Sequence, residues 1–284
     1  MTNVRLRFAS IVGADDVLLL PQLVRHYRGL GIESFRLVLN VGSPDDPRYE
    51  HARRVAADSG VSFWHVHFGQ WTLEGSRRIF RYLRYLDPDA WYVLADADEL
   101  HVYDRPLPEL AELCERGGFD HVNGCFLDRV AADGGFPPLD GRPLWEQFPL
   151  AGSVSTRLAC ALPLKACLVR GHVDLLTAQH GAAGGRPLPR TAGFVQVHHF
   201  KWTAGILERL RARVRRFAED PEHGERWAAL EARRFLDRVA PHGDRIHVAD
   251  PYLRLLPCGD DYSDHPQWPD IAAEAAGWQW AIRH

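Results

Sequence analysis

The stretch Trp91-Tyr92-Val93-Leu94-Ala95-Asp96-Ala97-Asp98-Glu99-Leu100 constrains this chain more than any other, because an apolar run stops abruptly at three carboxylates. Residues 91–95 have the length and composition of a buried strand, and such a strand cannot carry charge into a core without a large desolvation cost. The carboxylates are therefore expected just past its carboxyl end, where open α/β sheets bind ligands. Asp96 and Asp98, separated by the small Ala97, present two oxygen ligands that suit one hard cation whose remaining positions go to phosphate oxygens. The alternative is that the acids only end a strand and cap the next turn.

The segments upstream give that strand a context. Arg5–Val12 reads as a first strand, Val17–Leu30 as a helix ended by Gly29 and Gly31, Phe35–Asn40 as a second strand, and the turn Gly42-Ser43-Pro44-Asp45-Asp46 opens a helix that Gly60 stops. Val61–Phe68 reads as a third strand and Ser76–Leu86 as a helix broken by Asp87-Pro88-Asp89. Strands alternating with helices imply parallel pairing with right-handed crossovers, so the carboxyl ends of four strands share a side. Asp15, Asn40 and Asp45 are then expected on one rim with the acidic cluster.

Beyond it, the pattern gives a helix near Leu107–Arg116, a strand through Val122–Leu127, a strand from Val195 with a polar end at His198-His199-Phe200-Lys201-Trp202, and helices over Ala204–Phe217 and Glu225–Val239. The Gly- and Pro-rich loops between them are long enough to suggest that they cover a site. Past residue 250 no element is assigned.

Composition narrows the class. With 284 residues and 46% hydrophobic content the chain can bury a large core, and a net charge of -3 offers no general attraction to nucleic acid or anionic surfaces. No run near the amino terminus resembles a signal peptide and no apolar run approaches a membrane span, so a cytoplasmic protein is expected. The five cysteines show no Cys-x-x-Cys spacing and read as free, buried thiols. There is no Gly-x-Gly-x-x-Gly after the first strand, no Gly-Lys-Ser/Thr phosphate loop and no Gly-x-Ser-x-Gly elbow, which argues against dinucleotide, P-loop and α/β-hydrolase chemistry.

Several residues carry the resemblance that follows: Val24-Arg25-His26-Tyr27-Arg28-Gly29-Leu30-Gly31-Ile32 leading to Leu39-Asn40 and Gly42-Ser43-Pro44-Asp45, then Trp91-Tyr92 with Asp96-Ala97-Asp98-Glu99, then Leu127-Asp128-Arg129-Val130-Ala131-Ala132-Asp133-Gly134 with Glu146-Gln147-Phe148-Pro149, and His199-Phe200-Lys201-Trp202. In this order they resemble bacterial family-2-type glycosyltransferases with the GT-A fold, over roughly residues 5–205. The first strand departs from the family, ending in Val12-Gly13-Ala14-Asp15 rather than the commoner Lys-Asn-Glu or Pro-x-Asn.

The resemblance implies a mainly parallel central sheet flanked by helices, with a catalytic domain over 1–205 (a nucleotide-binding half, 1–100, and an acceptor half, 101–205) and a helical extension over 206–284. It implies a nucleotide-sugar donor, UDP-linked before other bases, a hydroxyl acceptor, and Mn²⁺ or Mg²⁺ held by Asp98 with Asp96 and completed by His199. Asp15, Asn40, Asp45, Arg77, Asp96 and Lys201 are the candidate donor contacts. Inverting sugar transfer needs a carboxylate base, for which Asp128, Asp133 and Glu146 are the candidates, with Asp128 best placed after its strand and Glu146 second. Trp71, Trp145 and Trp202 are candidate sugar platforms, and residues 180–190 a candidate cover that orders over the donor. Two other classes fit the acids: a metal-dependent nucleotidyltransferase and a non-catalytic nucleotide- or sugar-binding module.

Overall fold

The structure, a computed structural model, describes residues 4–176, 179–222 and 225–282. In chain order the elements are β1 (Leu6–Gly13), α1 (Leu20–Gly29), β2 (Phe35–Val41), α2 (Arg48–Asp58), β3 (Phe63–Phe68), α3 (Leu73–Tyr85), β4 (Trp91–Leu94), β5 (Glu99–Val102), α4 (Leu107–Gly117), β6 (His121–Val130), α5 (Leu144–Gln147), β7 (Leu150–Gly152), β8 (Leu164–Arg170), β9 (Val195–His199), α6 (Ile206–Glu219), α7 (Arg226–Val239), β10 (Leu256–Pro257) and α8 (Trp268–Ile282). The class is mixed α/β, with helices packed on sheet strands.

The chain forms two compact units, one of residues 1–124 and 165–195, the other of residues 125–164 and 196–284. The chain crosses between the units three times: inside β6, at the start of β8 and at the start of β9. Sequence patterns report local periodicity and cannot show a strand shared between two packed bodies.

In the first unit the strands run β3-β2-β1-β4 in parallel, and β8 pairs antiparallel with β4. The register sets Leu6 opposite Trp91 and Ala9 opposite Leu94, so β4 is central and all four of its residues are buried. Around it pack Ala9, Ile11, Val38, Phe80, Leu83, Tyr92, Leu94, Ala166, Val169 and Leu175. The helix starts and stops are chemical: the Thr72 hydroxyl accepts the Gly75 N–H at 3.0 Å to cap α3, and Gly118, at φ 64°, ends α4 in the left-handed conformation that glycine adopts without strain.

In the second unit β6 pairs with β7 and β7 with β10, both antiparallel. Its core joins α6 and α7 to the short turn Ser155–Ala159 through Val154, Leu158, Ile206, Leu210, Phe235 and Val239. Trp202 stacks on Phe235 at 4.2 Å between ring centroids. No helix among the described residues is long and apolar enough to cross a membrane.

Candidate active site

The acidic motif follows β4 as its apolar run requires. Asp96 and Asp98 are partly exposed past the strand, whereas Glu99 turns inward as the first residue of β5 and is 1% exposed. β5 is pinned to α1 from two sides: the Tyr27 hydroxyl donates to the Glu99 carbonyl at 3.1 Å and accepts the His101 N–H at 3.2 Å.

A buried carboxylate needs a partner, and β8 supplies it. Lys165 is 1% exposed, and its Nζ donates to Glu99 Oε1 at 2.7 Å and Asp96 Oδ2 at 2.8 Å. Glu99 Oε2 in turn accepts the Asp96 N–H at 2.9 Å, so a single ammonium and a single buried carboxylate fix the turn that carries the motif. Removal from water pushes the Asp96 carboxyl up to about 6, Lys165 opposes the shift, and the charges of Glu99 and Asp98 add to it. The Asp96 side chain remains 46% exposed, so a ligand can reach it. Sequence reasoning missed Lys165. Its signal was available: one charge within Leu164-Lys165-Ala166-Cys167-Leu168-Val169 has to meet a buried acid.

Gln179 approaches the same carboxylate from the other side, its Nε2 donating to Asp96 Oδ1 at 3.4 Å. The residue is 4% exposed, and its backbone sits at φ 61°, a left-handed conformation that costs a non-glycine residue about 1 kcal/mol. Its Oε1 is buried without a hydrogen-bond partner. Carboxylate and amide oxygens are the ligand types that hard cations take. Among the described residues no group of three or more His, Cys, Asp or Glu side chains comes together in a metal-holding arrangement. In kind, the oxygen groups of Asp96, Asp98 and Gln179 fit a Mg²⁺- or Mn²⁺-type ion that also takes the phosphates of a substrate.

The other rim positions divide. Asn40 is 8% exposed and donates from Nδ2 to the Gly69 carbonyl at 2.9 Å, tying β2 to the loop after β3. Asp15 pairs with Arg48 at 2.6 Å, and Arg48 also holds Asp46 at 2.6 Å, so the loops after β1 and β2 are clipped together by a guanidinium that sequence reasoning passed over. The hydrogen bonds from Arg48 pull the Asp46 carboxyl down to about 2. Asp45 is exposed on the same loop. Arg77 is exposed on α3 with Glu74 3.9 Å away.

The segment expected to be a cover makes backbone hydrogen bonds with its surroundings. Ala183 donates to the Asp174 carbonyl at 2.8 Å, Leu176 to Gly181 at 2.9 Å, and Leu188 to His121 at 2.8 Å. Asp120 and Arg186 are joined twice, the Asp120 N–H donating to the Arg186 carbonyl and the Arg186 N–H to the Asp120 side-chain Oδ2, both at 2.8 Å.

Within the second unit, polar groups gather on Asp128. Asp128, within β6 and fully buried, accepts from the Ser155 N–H (2.6 Å), the Ser155 hydroxyl (2.6 Å), His199 Nδ1 (3.0 Å) and Trp202 Nε1 (3.2 Å). With both oxygens engaged and no solvent contact, Asp128 is placed to hold His199 and not to take a proton from an acceptor directly. His199, 12% exposed and packed on Phe126 at 4.9 Å, is the member of this group nearest the surface. Because Nδ1–H donates to Asp128, the basic nitrogen of neutral His199 is Nε2.

Glu146 is exposed on α5. Asp133 is exposed and salt-bridged to Arg245, which makes it a turn residue. Lys201 lies beyond the end of β9, so strand alternation does not carry it onto the His199 face; its ammonium sits 5.3 Å over the Trp202 ring. Trp202, at 1% exposure, belongs to the core and offers no sugar platform, and Trp145 is covered by the Arg129 guanidinium at 4.9 Å, while Trp71 stays 42% exposed. Four of the five free cysteines are buried and Cys160 is exposed.

No protein-family model matches the chain, and no curated protein matches it. Among solved structures it is similar to a Bacillus anthracis protein assigned as a glucose-1-phosphate thymidylyltransferase, in complex with sucrose (9% identity, TM-score 0.29), over 48% of this chain and 61% of that one. It is also similar to 4-diphosphocytidyl-2C-methyl-D-erythritol synthase (16% identity, TM-score 0.32), over 61% of this chain and 77% of that one. Residues 1–349 of TarS from S. aureus align over 83% of this chain and 72% of that one, at 12% identity and a TM-score of 0.32. Overlap of this extent leaves the reading of the site to its own residues.

Proposed function

We propose that this protein is a metal-dependent glycosyltransferase of the GT-A type, moving a sugar from a nucleotide-sugar donor, UDP-linked before other bases, to a hydroxyl acceptor with inversion. The observation that carries the reading is the acidic motif at the carboxyl end of β4 in a parallel β3-β2-β1-β4 set, with Asp96, Asp98 and the unpartnered Gln179 Oε1 in the same unit. Asp98, Asp96 and Gln179 would hold the cation, which when bound neutralises charge that develops on the leaving diphosphate.

The chain's own groups have separable tasks. Lys165 and Glu99 fix the turn bearing Asp96. Asp15 and Asp45 lie on the rim loops, where a base and ribose would be contacted, and Arg77 is an exposed cation at the start of α3. In the second unit Asp128 sets the tautomer of His199, the form in which an imidazole accepts a proton or ligates a cation. Glu146 is the exposed carboxylate for the base role, and Lys201 a cation for donor phosphate.

The test is turnover of UDP-sugars. Release of UDP that requires Mn²⁺ or Mg²⁺ and disappears in Asp98→Ala supports the reading. Pyrophosphate release from a nucleoside triphosphate and a sugar phosphate would place the protein among nucleotidyltransferases instead, and nucleotide binding without turnover would make it a binding module.

A further inference from the structure

Lys165 is the residue that the proposed reaction does not call for and that the fold nevertheless buries at the motif. A lysine ammonium is strongly hydrated, and enclosing it at 1% exposure is costly unless each of its protons finds an acceptor. Two of its acceptors are Glu99 Oε1 at 2.7 Å and Asp96 Oδ2 at 2.8 Å. The two partners differ: Glu99 is as buried as the lysine, whereas Asp96 is 46% exposed. Glu99 alone would balance the charge of Lys165 inside the protein. The contact to Asp96 is an additional one, made to a carboxylate that solutes can reach.

Charge arithmetic gives this contact a consequence. Within the Asp96–Lys165–Glu99 group, two negative charges meet one positive, so one of the two carboxylate charges is spent on the ammonium. A divalent ion arriving alone meets an Asp96 with one oxygen already bound to an ammonium, and like-charge repulsion from that ammonium a few ångströms away. A diphosphate arriving with the ion supplies the negative charge and the oxygen ligands that the protein has spent on Lys165.

We infer that Lys165 is an internal counter-ion that competes with an external divalent cation for Asp96, so that the motif takes up the metal tightly only together with a diphosphate. The inference rests on the cation-dependent reading of the motif and assigns Lys165 as a positioning residue that sets the coupling between metal and nucleotide. Burial works to discharge Lys165, yet Asp96 and Glu99 outweigh it and hold its pKa above the ordinary lysine range, in keeping with a permanent cation.

Manganese affinity, measured by electron paramagnetic resonance with Mn²⁺ alone and again with UDP, tests this. In the wild type each ligand must tighten the other by the same factor, expected to be tenfold or more by order of magnitude. Lys165→Gln removes the competitor and should tighten binding of Mn²⁺ alone by about tenfold, while reducing the further gain from UDP. Because that variant strands Glu99 without a cation, the double variant Glu99→Gln/Lys165→Gln restores internal neutrality and should show the same gain in a folded protein. A brace with no electrostatic role predicts the reverse, a loosened motif that binds Mn²⁺ more weakly. Unchanged or weaker Mn²⁺ binding in the folded double variant, or no Mn²⁺–UDP coupling in the wild type, overturns the inference. Coupling that is present without any sugar transfer would leave the role of Lys165 standing and remove the transferase reading.

Discussion

His199 donates its Nδ1 proton to Oδ1 of Asp128 at 3.0 Å, and that carboxylate is wholly closed to solvent. The bond is one of four that Asp128 accepts. An asparagine at this position has one accepting oxygen and places an NH2 group against donors. Asp128→Asn should therefore destabilise the protein by roughly 2–4 kcal/mol, and Ser155→Ala, which removes a single hydroxyl bond, by roughly 1 kcal/mol. Thermal melting of the three proteins measures this, and an Asp128→Asn variant that melts with the wild type would show that the four bonds hold little.

Asp96 gives a pH-dependent prediction. Its folded-state pKa, about 6, lies above the usual aspartate value of 3.8, so the folded protein binds the proton more tightly than the unfolded chain between those values. The ionised carboxylate thus weakens folding above pH 6, and that penalty fades as the pH falls toward 4. Asp96→Asn should melt at a higher temperature than wild type at pH 8, with the difference shrinking steadily on acidification to pH 4.5. A variant less stable than wild type at pH 8 would mean that the Lys165 pairing outweighs the partial desolvation of Asp96.

Much of the first unit was legible in the sequence because period and punctuation agree there. The strands β1 to β4, their helices and the position of Asp96 and Asp98 follow from apolar runs bounded by Gly, Pro and Asp. β5 was hidden because it begins on Glu99, a residue that reads as part of an exposed acidic cluster and is in fact an internal anchor. β8 was hidden among Gly- and Pro-rich segments, and with it Lys165. α8 was hidden because Trp268–Ile282 mixes Pro, Trp, Gly and Ala without a clear apolar stripe. Asp128 was found as a residue but its surroundings were not, since a carboxylate at a strand end looks the same in sequence whether it faces solvent or four internal donors.

The segment 180–190 should be protected without ligand. The amides of Ala183 and Leu188 are each bonded to a backbone carbonyl at 2.8 Å, and Pro187 bridges to His121. Hydrogen exchange at these two positions should be slowed well below that of an open loop in ligand-free protein, with little further change on adding UDP and Mn²⁺. Rapid exchange that becomes slow only with ligand would restore a closing cover.

Close backbone packing makes Gly124 irreplaceable. A Cβ at this position would stand 2.3 Å from the Val195 carbonyl oxygen and 2.8 Å from Cys167 Sγ, and a carbonyl in a strand cannot move aside cheaply. Gly124→Ala should cost about 3 kcal/mol, at the upper end for overpacking, read as a lower denaturant midpoint at unchanged slope. A midpoint equal to wild type would show that β9 shifts freely against β6.

Nucleotide recognition through the acidic motif is the central claim, and ligand-induced stabilisation measures it most directly. UDP, GDP, dTDP and CMP are each added with and without Mn²⁺ to wild type and to Asp98→Ala, and the melting temperature is followed. A ligand at a hundred times its dissociation constant stabilises the native state by about 2.7 kcal/mol, which is roughly 4–5 °C for a chain of this size. The prediction is a shift of that order for a nucleoside diphosphate, UDP first, that requires Mn²⁺ and vanishes in Asp98→Ala. No shift with any nucleotide, or an equal shift in Asp98→Ala, would contradict the claim.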